Sequence, residues 1–139
     1  MLYCKTITVP ANTSKENFVE ETIEIEEDTL FYVEIRFPPG PCGLLYISVY
    51  YGDLQLLPST KGEWARGDNE RVWDVLLFEL PEKPSTIRIR GYNLDDTYSH
   101  SAIIRIVALP KEVALFMRAI SRLEKIISLF FEKVIGFRG

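Results

Sequence analysis

The chain has 139 residues, of which 47% are hydrophobic and 26% are charged. This length supports one domain with a real core, and this balance excludes a largely disordered chain. The net charge of -4 is unevenly divided, because residues 1–110 carry ten basic and seventeen acidic side chains, whereas residues 111–139 carry six and three. The acidic first part argues against a nucleic-acid-binding surface, and we expect no nucleic-acid partner.

The first residues, MLYCK, lack a basic segment followed by an apolar run, so we expect no signal peptide. Six charged side chains between residues 118 and 133 argue against a transmembrane span there. These features predict synthesis in the cytoplasm. Two cysteines, Cys4 and Cys42, are too few for a disulfide scaffold, and we expect free thiols. The single Gln and the many Glu, Lys, Arg and Ile residues resemble the composition of thermophile proteins.

Seven or eight short runs that alternate or are rich in β-branched residues predict strands. In chain order they cover residues 3–9, 22–25, 30–37, 44–51, 54–57, 71–80, 86–92 and 101–109. In the third run Phe31, Val33, Ile35 and Phe37 alternate onto one face, and the following Pro-rich segment ends the strand.

Turn-forming segments separate these runs. Gly52-Asp53 lies between two apolar runs and is the clearest hairpin signal. Residues 58–69 and 93–100 are polar and are expected to be loops. No helical period appears before Pro110. The pattern therefore predicts a mainly β protein, with an antiparallel, jelly-roll-like β-sandwich over residues 1–109.

Residues 110–139 are expected to form one long amphipathic helix. Apolar residues recur there in steps of three and four, which is the a and d pattern of a heptad repeat. We call these eight residues the seam: Val113, Phe116, Ile120, Leu123, Ile127, Phe130, Val134 and Phe137. Such an apolar stripe must be covered, and what covers it bears directly on function.

The seam could be buried in three ways. The helix could pack across its own sandwich, although a strict seven-residue period fits a straight helix on a sheet poorly. It could self-associate or dock onto a partner protein, and apolar e and g residues (Met117, Ala119, Ile126 and Phe131) favour a trimer or a larger bundle. It could also lie on a membrane surface, with which its basic residues and phenylalanines are compatible.

No catalytic motif is present. His100 has Ser99 and Asp95 nearby in the sequence, but the glycine-flanked serine turn of hydrolases is absent, so a solvated loop histidine is expected. Cys4, Cys42 and His100 are too scattered for a zinc site. The acidic loop residues lack the ordered spacing of a calcium loop. We therefore predict no enzyme activity, no catalytic residue, no metal site and no cofactor.

Aromatic residues are the other candidate for function. A row of exposed aromatic rings on a sheet can stack on sugar rings, and Trp64, Tyr92 and Tyr98 are the candidates for such a ligand site. Trp64 lies in a polar loop and is expected to be exposed. Trp73 lies inside a predicted strand and is expected to be in the core.

The combination of a small β-sandwich and an association helix resembles the small virion and appendage proteins of archaeal viruses. The resemblance is one of architecture and composition, without a shared motif. It implies a non-enzymatic structural subunit that self-associates or docks onto a larger particle, as a capsid, decoration, turret or connector component. The alternative is a glycan-binding module whose helix multimerises it for avidity.

Overall fold

The computed structural model describes residues 1–135. Within them lie nine strands, one 3-10 turn and one α-helix. In chain order these are β1 (Leu2–Val9), the 3-10 turn (Lys15–Asn17), β2 (Val19–Ile25), β3 (Thr29–Phe37), β4 (Leu45–Tyr51), β5 (Leu54–Leu57), β6 (Ala65–Arg66), β7 (Glu70–Glu79), β8 (Ser85–Asn93), β9 (His100–Leu109) and α1 (Lys111–Ile135). The eight predicted strands are all present, and the two-residue β6 lies within the predicted loop over 58–69.

The strands form two antiparallel sheets that pack face to face. Sheet 1 has the order β1-β9-β3-β7, and sheet 2 has the order β2-β8-β4-β5, with β6 also paired to β4. The pairing is nested, because β4 pairs with β5, β3 with β7, β2 with β8 and β1 with β9. A long hairpin wrapped into two sheets in this way is a jelly roll, which confirms the predicted fold.

The core lies between the sheets and is built almost entirely from aliphatic side chains. The inward-facing residues of each strand alternate with outward-facing ones, as the period of two requires. Among the fully buried side chains are Ile7, Val9, Ile35, Ile104 and Ile106 of sheet 1 and Ile25, Ile47, Val49, Ile87 and Ile89 of sheet 2. Gly91 also faces the core, where a Cβ atom would lie 2.9 Å from both Ile47 Cδ1 and Val9 Cγ2.

A β-bulge changes the alternation predicted for β3. The register shifts between Leu30 and Tyr32 against both neighbouring strands, and Leu77 of β7 adopts a positive φ of 51° at the same place. The extra residue brings Leu30 into the core, whereas Phe31 is only half-buried. Val33, Ile35 and Phe37 face the core as predicted.

Candidate functional site

The first turn of α1 is fixed to the sandwich through Asp28, which lies between β2 and β3. The Asp28 carboxylate accepts a hydrogen bond from the Lys111 backbone N–H at 3.1 Å and pairs with the Lys83 ammonium at 2.7 Å. Together these contacts lower the pKa of Asp28, the Lys83 hydrogen bond first and the Lys111 N–H second. The negative charge of a carboxylate beside a helix N-terminus also interacts favourably with the positive end of the helix dipole.

The second turn is held by Arg118. Its guanidinium donates to the Glu79 carboxylate at 2.8 Å and to the Leu77 carbonyl at 2.9 Å, both near the end of β7. Between these anchors Ala114 is buried against the sandwich. A small cavity of about 140 Å³ remains between the helix and the sandwich, lined in part by Thr29 and Leu80.

The seam faces away from the sandwich. Lys111, Ala114 and Arg118 occupy positions f, b and f of the heptad, and successive helix residues turn by about 100°. This contact face is therefore nearly opposite to the a and d positions. The seven seam residues from Val113 to Val134 are each between 42% and 66% exposed. Phe137, the eighth predicted seam residue, lies outside the described residues.

The structure thus does not place the seam on the chain's own sheets. After Arg118 nearly every described side chain of α1 is exposed, so the helix extends beyond the sandwich. The apolar e and g residues that flank the seam are also largely accessible, with Ile126 and Phe131 exposed. The helix presents a broad apolar surface with no partner among the described residues.

The predicted ligand residues lie in two places. Trp64 was expected to be exposed, but it is half-buried, because it meets the Tyr92 ring edge-on at 4.8 Å and lies beside Phe18 at 6.4 Å. Tyr92 is only 8% exposed, because its ring stacks on that of Tyr46 at 4.4 Å. Tyr98 is 68% exposed in the loop between β8 and β9, and among the described residues no aromatic contact joins it to the other two. A sugar-binding role for these three residues stays a prediction.

Trp73 corrects the sequence analysis, because it is 52% exposed and not in the core. It lies opposite Glu34 in the pairing of β7 with β3, and both side chains are on the outer face of sheet 1. Tyr32 packs against the Trp73 ring with the centroids 5.9 Å apart, and the Arg71 guanidinium lies 5.8 Å from the ring centroid. Trp73 is therefore an exposed indole beside an aromatic and a basic side chain, which the sequence did not predict.

Glu34 is the most unusual residue of that outer face, since its side chain is only 6% exposed although it points away from the core. Its carboxylate accepts hydrogen bonds from Arg105 at 2.9 Å, from the Tyr32 hydroxyl at 3.0 Å and from Arg71 at 3.4 Å. Burial alone would raise the pKa of Glu34, but these hydrogen bonds and the two positive charges outweigh it and lower the pKa.

His100 begins β9 and is largely buried, so the solvated loop histidine expected from the sequence is not observed. Its Nε2 lies 2.7 Å from the Asp95 carboxylate. The pKa of Asp95 is lowered by hydrogen bonds from the Thr97 backbone N–H, from His100 and from the Tyr98 N–H. These contacts connect the loop between β8 and β9 to the first residue of β9.

The described residues contain no group of three or more His, Cys, Asp or Glu side chains placed to hold a metal ion. Within the same part of the chain, no helix is long and apolar enough to cross a membrane. Cys4 and Cys42 are both exposed and are not bonded to each other.

No family model matches the sequence, and no curated protein matches it. Among solved structures, the chain is similar to a protein of Bacillus endospore appendages, described as disulfide-linked pili, with 12% identity over 76% of this chain and 82% of that chain and a TM-score of 0.41. It is also similar to the tomato aspermy virus protein, with 16% identity over 79% of each chain and a TM-score of 0.42. A third similar structure is PirA, with 18% identity over 76% of this chain and 94% of that chain and a TM-score of 0.39.

These similarities are of general architecture only. Pilus and virus proteins are among the solved structures to which this β-sandwich is similar. Similarity of this degree does not transfer a function, so the function is inferred from the contacts within this chain.

Proposed function

We propose that this protein is a non-enzymatic structural subunit that associates with further copies of itself through the seam of α1. The observation that carries the proposal is the orientation of the helix. Its contact face binds the sandwich through Ala114 and Arg118, which leaves the a and d positions directed away from the chain's own body. If several copies formed a helix bundle through their seams, the sandwiches would lie on its outside and would not block contact between the helices.

The apolar character of the exposed surface supports association. Seven half-exposed seam residues would each contribute roughly 1 kcal/mol when fully buried, and the apolar flanks would add to this. Such a gain is comparable to the cost of about 4–15 kcal/mol for loss of translational and rotational freedom. A second copy is a fitting occupant because it supplies the same strict heptad period.

The flanks of the seam support an assembly of three or more copies. A dimer commonly carries charged residues at e and g, where they pair across the interface. Here Met117 and Phe131 occupy e positions, and Ala119 and Ile126 occupy g positions. Apolar flanks are better buried when each helix has two or more neighbours. A larger particle, such as a capsid or an appendage, is the setting that we propose for such a subunit.

The test is the solution mass of the full chain, measured by light scattering over a range of concentrations. We expect a discrete mass of three or more times 16.0 kDa. In the double variant Ile120→Asp/Ile127→Asp we expect the monomer mass, because each aspartate would place a charge in the bundle core. The thermal transition of the sandwich should remain, since neither residue contacts it.

The matched control is Ser121→Asp/Ser128→Asp, which adds the same charges one residue later and with the same spacing, at b positions. It should keep the wild-type mass. A wild-type chain that is monomeric at all concentrations, or a double variant that keeps its mass, would contradict the proposal. If a monomeric wild-type chain sediments with anionic lipid vesicles, the seam is a membrane-surface element and self-association is wrong.

A further inference from the structure

The outer face of sheet 1 carries a second candidate surface, on the sandwich and separate from the seam. Three adjacent cross-strand rows define it. Arg105, Glu34 and Trp73 lie in one row, Ile103, Arg36 and Arg71 in the next, and Val107, Tyr32 and Val75 on the other side. We call these nine residues the Trp73 surface.

Trp73 offers this surface a stacking platform. Its indole is half-exposed on the outer face of the sheet, and Tyr32 packs against it with the ring centroids 5.9 Å apart. Val75, the next outward residue of β7, is 48% exposed and extends the apolar area. Carbon-bound hydrogens on one face of a pyranose ring pack well on such an exposed aromatic plane.

The polar groups beside the indole are held in place before any ligand arrives. Both oxygens of Glu34 are engaged, one by Arg105 and the other by Tyr32 and Arg71. A guanidinium has five N–H donors, and these contacts use only one or two of them on each arginine. The remaining donors of Arg71 and Arg105 are accessible, because both side chains are partly exposed.

The charge of the Trp73 surface is opposite to that of the body. It contains three arginines and one glutamate, a net charge of +2, whereas residues 1–110 carry -7. Arg36 and Arg71 lie opposite each other in the pairing of β3 with β7, and the described contact of the Arg36 guanidinium is with the Asn69 side-chain oxygen at 2.9 Å. Two guanidinium groups with free donors therefore lie one row away from the indole.

We propose that the Trp73 surface binds an acidic saccharide, a pyranose that carries a carboxylate. The ring would stack on Trp73, and its carboxylate would pair with the guanidinium groups of Arg36 and Arg71, whose forked donors match a carboxylate. Ring hydroxyls would accept hydrogen bonds from the remaining donors of Arg105, while the buried Glu34 carboxylate holds Arg71 and Arg105 in place. This inference goes beyond the proposed structural role and does not depend on it.

Single-stranded nucleic acid is the competing anionic partner. Proteins that bind it use several aromatic rings in a row along a basic groove. The Trp73 surface has one half-exposed indole, and the body around it is acidic. One stacking ring with a pair of carboxylate-binding arginines suits a sugar acid better.

The experiment is calorimetric titration of the full chain with a short oligogalacturonate, with a neutral cello-oligosaccharide and with oligouridylate. We expect saturable binding of the oligogalacturonate, one site per chain, which weakens as salt is added. The neutral sugar and the oligouridylate should bind at least tenfold more weakly. Repeating the titration with Ile120→Asp/Ile127→Asp keeps the result independent of assembly, since that variant should retain the site.

Variants of the surface make the test specific. Trp73→Ala should weaken binding by about tenfold or more, while Trp73→Tyr, which keeps a ring, should retain most of it. Arg36→Gln/Arg71→Gln should weaken binding of the oligogalacturonate by about tenfold, without strengthening binding of the neutral oligosaccharide. Leu94→Ala removes an equally exposed hydrophobic side chain from the loop between β8 and β9 and should bind as the wild type.

Three results would overturn the inference. The first is the absence of oligogalacturonate binding by the folded wild-type chain. The second is binding that Trp73→Ala and Trp73→Tyr both leave unchanged. The third is oligouridylate binding that is as tight as that of the saccharide, which would assign the surface to nucleic acid.

Discussion

Arg118 and Ile120 leave α1 in nearly opposite directions, about 200° apart around its axis. The Arg118 guanidinium lies 2.8 Å from the Glu79 carboxylate on the sandwich, and Ile120 lies exposed on the other side of the helix. One residue thus attaches the helix to its own body, and the other belongs to the surface that we propose for other copies. We therefore expect that substitutions can separate attachment to the sandwich from the proposed association.

The first prediction concerns that attachment. Arg118→Ala should leave the mass of the assembly unchanged, because the seam is intact. The free energy of unfolding should fall by only about 1 kcal/mol, since the Glu79 side chain of this ion pair is largely exposed. The orientation of the bodies about the bundle should become less defined, and small-angle X-ray scattering should show a larger radius of gyration. Arg122→Ala, an exposed arginine on the same helix, is the control, and identical scattering of both variants would contradict the attachment role.

The second prediction concerns pH and Glu34. Its pKa is lower in the folded protein than in the unfolded chain, so its stabilising contribution is complete above the ordinary carboxyl pKa. The contribution is lost as the pH falls through the lowered folded pKa. Glu34→Gln should therefore reduce stability by on the order of 1 kcal/mol at neutral pH, and the difference from wild type should shrink in acid.

Thermal melts of both proteins from neutral to acidic pH measure this effect. Glu63→Gln, which changes an exposed loop carboxylate, serves as the control and should alter the melting temperature little. A difference between wild type and Glu34→Gln that grows as the pH falls would show that the sign is wrong.

The third prediction concerns Gly91. Two core side chains leave no room for a Cβ atom there, because Ile47 on the paired strand β4 and Val9 in the opposite sheet are already at 2.9 Å from that position. Gly91→Ala should therefore destabilise the sandwich by about 1–3 kcal/mol through overpacking. Chemical denaturation measures the free energy of unfolding of each variant. Gly67→Ala is the comparison, because its Cβ would meet only the flexible Glu70 side chain, which can move away. Equal effects of the two changes would contradict the packing argument.

The fourth prediction concerns Ser48, which is fully buried on the outward side of β4. Its hydroxyl has no hydrogen-bond partner among the described residues. Since an unsatisfied buried polar atom costs about 1–3 kcal/mol, Ser48→Ala should stabilise the protein, by up to about 1 kcal/mol. A rise in the denaturation midpoint without a change in slope is the expected result. A loss of stability would indicate that the hydroxyl has a partner, such as a bound water molecule.

Most of the fold could be predicted because strand periodicity and prolines are local signals. Each predicted strand overlaps an observed one, and the helix begins one residue after Pro110. The bulge at Phe31 could not be predicted, because it depends on how β3 aligns with two neighbours that are distant in sequence. The alternation after Tyr32 agrees with the prediction once that extra residue is counted.

Trp73 shows why the candidate ligand surface was missed. The strand alternates, but both of its faces carry apolar residues: Trp73 and Val75 on one side, Val72 and Leu76 on the other. A period of two assigns residues to faces without saying which face is buried. Likewise, the heptad predicted the seam but not the role of Arg118, since an f position carries no signal for contact with a sheet.

The nested strand pairing has a consequence for how the protein reaches its native state. Val9 pairs with His100, so the sandwich closes only after segments far apart in the chain have met. Such topologies fold in milliseconds to seconds, whereas a helix forms within about a microsecond. The apolar stripe of α1 is thus available to other chains while the strands are still unpaired. Association at that stage would hold unfolded strands of several chains close together, where they can pair wrongly. Refolding yield should therefore fall as chain concentration rises, and Ile120→Asp/Ile127→Asp should relieve that loss.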